Sequence, residues 1–366
     1  MPARARGSTD PRKWRSIRLR LDAGDEVEAP VYSSTGGRLF KALYSTGCRM
    51  DCRYCPFAVF CRRSRSYWGR ERLARAFLAA WRRGLVGGLF LSSGLYRDPE
   101  DVTLELVETA EELRRRGYRG YLHLKLMPGA PGWLIRRALE AADRVSLNLE
   151  AASPAAFSEI APSKGSWGLD LYSRLLLAAD YAADPRRVST QLVVGAAEES
   201  DRELIRLTWL LHRAGVGVVH YSPYTPVPGT PLAEKRPPTP PERTGLLYEA
   251  SRLIRGYGFA PEDFEPLLGG DGMLQAPPPG ASLKEALARS HPDWFPVDPE
   301  EAGLQELLRV PGIGPKAARE ILRARSQGRR LTPWLLARIL GPSRFRRAAP
   351  FLGLPRRLAA DTRWTP

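Results

Sequence analysis

From Leu39 onward the apolar positions of this chain fall into short runs, separated by longer stretches in which apolar residues recur every three or four positions. The runs at 39–44, 88–91, 120–126, 144–149, 189–194 and 217–221 predict strands. The stretches around 69–83, 101–116, 131–142, 169–183 and 200–214 predict amphipathic helices. Strands alternating with helices imply βαβ units and a parallel sheet. Six such units fit an open or partial barrel, with the loops at the C-terminal strand ends carrying the chemistry. Before this repeat, residues 1–38 show weak periodicity and are expected to be a basic lead-in. After it, a proline-rich stretch that includes Pro237-Pro238-Thr239-Pro240-Pro241 and a Pro277-Pro278-Pro279-Gly280 run mark two linkers around a helix at 242–258. The last segment is helical, with turns at Gly312–Gly314, Gly328 and Gly341. The expected domains are 1–38, 39–231, a connector at 232–295, and a helical domain at 296–366.

Composition narrows this picture only a little. Hydrophobic residues make up 43%, which fits a globular chain. No apolar run approaches the roughly 20 residues that a membrane span needs. Met1 to Arg20 is rich in arginine but has no apolar core of a secretory signal, so the cytoplasm is the expected address. The net charge of +16 suits a polyanionic partner. Most of that charge is arginine, in a chain also rich in Ala, Leu, Gly and Pro, a mixture that GC-rich coding would produce without selection. Where the charge lies therefore matters more than its size.

The four cysteines, at 48, 52, 55 and 61, all fall in one short stretch, whereas a disulfide framework would spread them. Cys48-x3-Cys52-x2-Cys55 directly follows the first predicted strand. Three thiolates so spaced can hold three irons of a cubane iron–sulfur cluster and leave the fourth open for catalysis. Arg49 and Arg53 are expected to offset the negative charge. The alternative is a zinc site using all four cysteines, although zinc sites more often use two separated C-x2-C pairs.

The segment Cys48-Arg49-Met50-Asp51-Cys52-Arg53-Tyr54-Cys55 resembles the C-x3-C-x-aromatic-C signature of the radical S-adenosylmethionine (SAM) superfamily. The resemblance implies a partial (β/α)6 barrel, with a [4Fe–4S] cluster on Cys48, Cys52 and Cys55. It also implies SAM chelated at the open iron and split by reduction to a 5′-deoxyadenosyl radical, the electron coming from an external donor. Further segments are similar to superfamily elements, and the first three imply contacts with SAM. Ser92, Ser93 and Gly94 stand where the superfamily has Gly-Gly-Glu, a departure that removes its acidic residue. Asn148 and Glu150 close the fourth strand. Gln191 to Glu198, with Gly195, resembles the G-x-I-x-G-x-x-E region that packs the adenine. Tyr224 to Pro231 resembles the Pro-Gly-Thr element after strand six.

Some of these residues stand out physically as well. Asn148 and Glu150, two apart on a strand, share a face. A carboxylate in an apolar run is costly without a partner. Lys125, inside the apolar run 122–127, is a candidate contact for the SAM carboxylate or the substrate. Tyr54, the aromatic residue of the motif, joins the cofactor-binding set. His123 and His220 read as hydrogen-bonded core residues rather than metal ligands.

In the last segment, Val310-Pro311-Gly312-Ile313-Gly314-Pro315-Lys316 resembles the helix–hairpin–helix element of proteins that bind DNA without reading its sequence. Gly312 and Gly314 permit a tight turn around Ile313. Pro315 suits the first position of the next helix. The amides at that helix start can receive a phosphate, with Lys316 and Arg319 nearby. Residues 291–366 carry 14 Lys+Arg against 7 Asp+Glu, and Arg323, Arg325, Arg329, Arg330, Arg344, Arg346 and Arg347 extend the basic run. The same element can also serve only as a packing unit.

From Lys41 to Leu354 the chain resembles the DNA modification/repair radical SAM protein family. That resemblance implies a radical SAM barrel followed by a small all-α helix–hairpin–helix domain, DNA as partner, and association with a uracil-DNA-glycosylase-like protein. Two other readings stay open. Cys52-x2-Cys55-x5-Cys61 resembles the tail of the cluster motif in endonuclease III-like glycosylases, which would make all four cysteines the ligands of a structural cluster in a DNA-binding protein. The basic tail could instead grip tRNA for a radical SAM modifying enzyme. Cys61 is expected to be inert.

Overall fold

The computed structural model describes residues 13–21, 25–34 and 36–354. The fold is mixed α/β and divides into two units. Residues up to Glu199 together with Leu210–Thr244 form the first, and Ser200–Trp209 together with the residues from Gly245 form the second.

The first unit is built on one eight-stranded sheet: β1 (Trp14–Arg20), β2 (Glu26–Ser34), β3 (Gly37–Leu43), β4 (Gly88–Ser92), β5 (Tyr121–Lys125), β6 (Arg144–Ser146), β7 (Val188–Val194) and β8 (Val218–Pro223). Its strands lie in the order of the chain. β1, β2 and β3 pair antiparallel, and every later pairing is parallel. The expected lead-in at 1–38 is therefore corrected: the described residues from Trp14 belong to the sheet. Trp14, Leu19, Val27, Ala29 and Val31 are buried there. Charged residues fill the positions between them, as on an edge hairpin with one wet face, and these masked the periodicity.

Helices follow the parallel strands: α1 (Arg70–Arg82), α2 (Pro99–Arg115), α3 (Gly132–Ala141), α4 (Pro154–Ile160), α5 (Ser173–Tyr181) and α6 (Asp201–Arg213). The local reasons are readable in α2. Pro99 takes the first turn, Glu100 and Asp101 face the positive helix start, and Arg114 and Arg115 lie in its last turn. α4 was not expected. Its Ser153 cap accepts from the Ala156 amide, but seven residues are too few to show a period. α5 starts late because Trp167–Tyr172 is wound as a π-helical segment.

The sheet has two unlike faces. Phe40 meets Phe77 of α1 edge-on at 5.8 Å, so its face is the one the helices cover. Strand register puts Ala42, Leu89, Leu91, Leu122, Leu124, Val145, Val188 and Leu192 on that face, all buried. The opposite face carries Lys41, Phe90, His123, Lys125, Arg144, Ser146, Ser189, Gln191 and His220. A central parallel sheet is normally apolar on both faces. Polar residues on this face of every parallel strand mark it as the working face.

The second unit is helical: most of α6 and most of α7 (Pro241–Tyr257), then α8 (Leu283–Ser290), α9 (Leu304–Arg309), α10 (Pro315–Ser326), α11 (Pro333–Leu340) and α12 (Pro342–Ala348). Leu307, Val310, Ile313, Ala318, Ile321 and Leu336 form the centre of its core. The expected connector at 232–295 is not a separate body, because 232–244 belong to the first unit and 245–295 to the second. The turn between α9 and α10 is tied down from beneath. The Lys284 ammonium donates to the Ile313 carbonyl at 2.6 Å and lies 4.6 Å over the Tyr257 ring. Gly312 has φ +83°, and a Cβ there would overlap the Arg344 carbonyl of α12. Gly312→Ala is therefore expected to cost about 2 kcal/mol or more and to lower the melting temperature of the helical unit. An unchanged melt would show that the turn relaxes freely.

Candidate active site

The cysteine loop leaves β3 at its C-terminal end, where open parallel sheets place their ligands. Backbone bonds dock it on its neighbours. The Arg49 amide donates to Leu95 at 2.8 Å, the Arg53 amide to Ile160 at 2.8 Å, and the Gly94 amide to Ser45 at 2.8 Å. Ser163 and Asp51 exchange hydrogen bonds between a side-chain oxygen and an amide in both directions, at 3.0 Å each. Arg65 closes the loop from inside: its guanidinium donates to the carbonyls of Thr46 and Phe57 at 2.8 Å, and of Ala58 and Cys61 at 3.0 Å. Nothing in the sequence singled out Arg65, since its task is set by where four carbonyls end up.

The structure separates the cysteines three to one. Cys48, Cys52 and Cys55 lie within electrostatic reach of one another. Burial pushes the Cys52 thiol up to about 12, with Cys55, Glu150 and Cys48 adding to the rise and Lys164 opposing it. Burial likewise lifts Cys55 to about 11. Raised thiols such as those of Cys52 and Cys55 ionise together only around a strong positive charge, which is what a metal cluster provides. Among the described residues no three metal-ligating side chains converge on a single ion. A cubane asks for something different, one thiolate on each of three irons. The Cys61 thiol points instead toward the carbonyls of Cys55, at 3.6 Å, and Gly229, at 3.7 Å.

Beside the thiols lies a buried polar cluster. Glu150, 3% exposed, is the one non-glycine residue with positive φ among those described, at 65°. β7 holds this conformation from both sides: the Glu150 amide donates to Gln191 at 3.0 Å, and the Val193 amide donates to Glu150 at 2.7 Å. β6 stops at Ser146 rather than running to 149, because the Thr190 hydroxyl donates to the Leu147 carbonyl at 2.7 Å and accepts from the Leu149 amide at 3.1 Å in place of ladder bonds. One Glu150 oxygen pairs with the Lys164 ammonium, and the other accepts from Asn148 Nδ2 at 3.3 Å. Tyr54 adds its hydroxyl to the same carboxylate. Burial alone would raise the Glu150 carboxyl, but the charges of Lys164 and Lys125 outweigh it and hold it below its ordinary value. Burial would also depress Lys164, and Glu150 and Cys52 reverse that and raise it. Lys125 is brought down to about 8 by burial, with Glu150 opposing.

Several expectations change. The cation next to the thiols is Lys164, which the sequence reading missed because it sits in a loop outside any motif. Arg49 is exposed and pairs with Asp98 at 3.2 Å, so it does not fill the role expected of it, and Arg53 is exposed. Ser93 and Gly94 back the cysteine loop. The Ser93 hydroxyl accepts from the Ser45 amide at 3.3 Å, and a Cβ on Gly94 would overlap the Gly47 carbonyl. Ser92 is buried on the working face, and Gln191 is half-buried on it. Gly195 is a turn residue (φ +80°) whose open side is filled by Thr239. Its amide donates to Glu199 at 2.6 Å, while Glu198, the residue picked from the motif, faces outward to Arg236. His123 bonds the Ser146 hydroxyl at 2.9 Å. In the second unit Lys316 and Arg319 are exposed at the start of α10, whose first turn has no side-chain cap. Arg325 is turned away from the basic run and donates to the carbonyls of Pro299, Glu300 and Ala302.

No protein-family model and no curated protein matches this chain. Among solved structures it is similar over 67% of its length to a radical SAM methyltransferase from Sphaerobacter thermophilus, at 17% identity, 72% of that chain and a TM-score of 0.48. Over 59% of its length it is similar to the FeFe-hydrogenase maturase HydG from Carboxydothermus hydrogenoformans, at 18% identity, 51% of that chain and a TM-score of 0.47. It is similar to the same extent to methylornithine synthase, at 15% identity, 61% of that chain and a TM-score of 0.46. The chain thus spans between half and three-fifths of the length of the last two. No helix of the described residues is long and apolar enough to cross a membrane.

Proposed function

We propose that the first unit is a radical SAM enzyme on a partial (β/α)6 barrel, and that the second is a helix–hairpin–helix module that binds DNA without reading its sequence. The observation that carries the enzyme reading is the cysteine loop: three thiols of a C-x3-C-x-Tyr-C segment at the end of β3, with Cys61 held apart from them. Cys48, Cys52 and Cys55 would hold a [4Fe–4S] cluster and leave one iron for SAM. Bound there and given one electron by an external donor, the pair would supply hydrogen-atom abstraction from substrate by a 5′-deoxyadenosyl radical, with methionine as the leaving product. Lys164 and Lys125 offset the charge of the thiolates. Gly94 lets the end of β4 close against the loop, and Tyr54 ties the loop to Glu150. The cofactor-facing side chains are then Ser92, Lys125, Asn148 and Gln191, with Ser93, Gly94, Glu150 and Gly195 shaping the walls. An external electron donor and a uracil-DNA-glycosylase-like protein are the partners that this reading calls for.

The test is anaerobic reconstitution, reduction with dithionite and addition of SAM, followed by chromatography for 5′-deoxyadenosine. Its formation is the expected result. A cluster that binds but never cleaves SAM would overturn the enzyme reading.

The DNA reading is supported by the uncapped start of α10 and its exposed cations. Replacing Lys316 and Arg319 together by alanine is expected to weaken duplex binding and to lower the slope of log affinity against log salt by about 2. An unchanged slope would remove the hairpin as the grip. Tighter binding of tRNA than of duplex would favour the RNA-modifying reading.

A further inference from the structure

The working face carries a second cluster that the cofactor reading leaves unused. Register aligns Lys41, Phe90, His123 and Arg144 across four adjacent strands. The Lys41 ammonium is fenced by three rings, at 4.6 Å from Tyr32, 5.1 Å from Phe90 and 5.3 Å from Trp14. Phe90 in turn meets His123 edge-on at 4.6 Å. Lys125 stands two residues beyond His123 on the same face, and His220 lies in register with Gln191. Burial is the main cause that keeps both imidazoles neutral, with Arg144, Lys41 and Lys125 adding to it. Strands β3 to β8 contain no aspartate or glutamate at all. Of the carboxylates flanking them, Glu150 is committed to Lys164, Asp143 to Arg114 and Glu198 to Arg236.

Cations gathered on a half-buried face without counter-charge are costly. An incoming anion reverses that cost. A second observation points the same way. The Ser189 hydroxyl is fully buried without a hydrogen-bond partner, and register puts it on this face beside Ser146, the residue that holds His123.

We propose that this face is an oxyanion site for the substrate, taking a phosphate or carboxylate group with Lys41 and Arg144 as its counter-charges and Ser189 as a hydrogen-bond donor. Arg144 donates its Nε to the Arg186 carbonyl at 2.9 Å, a bond that still leaves the guanidinium its two terminal nitrogens as donors. The three rings hold Lys41 in place and attract its ammonium, while burial, with Lys125 adding, brings it down to about 8, so that an incoming anion would raise it again. Assignment of the anion to the substrate rests on the radical SAM reading. The oxyanion binding itself does not.

The experiment titrates inorganic phosphate, and separately acetate, into the reconstituted protein at constant ionic strength, read by calorimetry. Saturable binding is expected, weakened at least about tenfold in Lys41→Gln and in Arg144→Gln. Lys41→Met, which keeps the side-chain length against the rings, replaces Lys41→Gln if that variant loses its fold. Preference for phosphate would mark a nucleotide-like substrate, and preference for acetate a carboxylic acid. Folded variants that bind both anions as the wild type does would overturn the site. Displacement of the anion by SAM alone would give the site to the cofactor and overturn the substrate assignment. If the anion binds at the site but 5′-deoxyadenosine never forms, the oxyanion site stands and the radical SAM reading falls.

Discussion

Cys52→Ala is expected to abolish 5′-deoxyadenosine formation and to strip iron from the reconstituted protein, while Cys61→Ala keeps both. The contrast follows from where the two thiols point. Cys52 shares its surroundings with Cys48, Cys55, Glu150 and Lys164, so a thiolate there has neighbours suited to a cluster. Cys61 looks at two backbone carbonyls, and removing it forfeits only weak hydrogen bonds and a small packing contact, about 1 kcal/mol. Iron analysis and chromatography of the nucleoside read the two effects side by side. If Cys61→Ala loses iron as fully as Cys52→Ala does, all four cysteines belong to the cluster, and the four-cysteine DNA-binding reading takes over. Duplex affinity should survive in either variant, since Lys316 and Arg319 are in the other unit.

The largest stability effect is expected at Glu150. Glu150→Gln leaves the Lys164 ammonium buried without its carboxylate, and removing one partner of such a pair typically costs about 3–5 kcal/mol. Lys164→Met should cost a similar amount by stranding the carboxylate, with Asn148 and Tyr54 left to satisfy it in part. The double variant should recover much of the loss, because it strands neither charge. Urea midpoints of the four proteins close the cycle and give the coupling directly. Strictly additive losses would mean that the pair is not coupled and that Glu150 matters for its backbone conformation instead.

The six parallel strands and most of their helices were legible because each buries one apolar stripe with a regular period. What the sequence hid was set by tertiary geometry. β1 and β2 were lost because an edge hairpin with arginine and glutamate on its wet side does not look apolar. β6 was read too long because nothing local announces a left-handed glutamate at 150. The motif led to the three cysteines directly, but their counter-charge was expected from Arg49 and Arg53 inside the loop, where the buried cation is Lys164. Motifs record spacing along the chain, whereas Lys164 reaches the thiols only through the fold. The polar face of the sheet was visible piecemeal, in Lys125 and Asn148. Only strand register brings Lys41 and Arg144 into the same row.

The strand order of the sheet, identical to the order of the chain, has a consequence for how the protein can be made. Each new strand docks beside the one synthesised just before it, and none has to be threaded between two already in place. The antiparallel trio at the start needs only short turns, so it can form while the rest is still on the ribosome and offer an edge to β4. Growth then proceeds one βα unit at a time, and the cysteine loop, leaving β3, gains its wall at β4 and its counter-charge from Lys164 only later in translation. A chain released before Lys164 has been synthesised would present its thiols without either the ammonium or the carboxylate that frame them. Completion of the cysteine site is thus deferred, by the place of Lys164 in the chain, until well past the middle of the sheet.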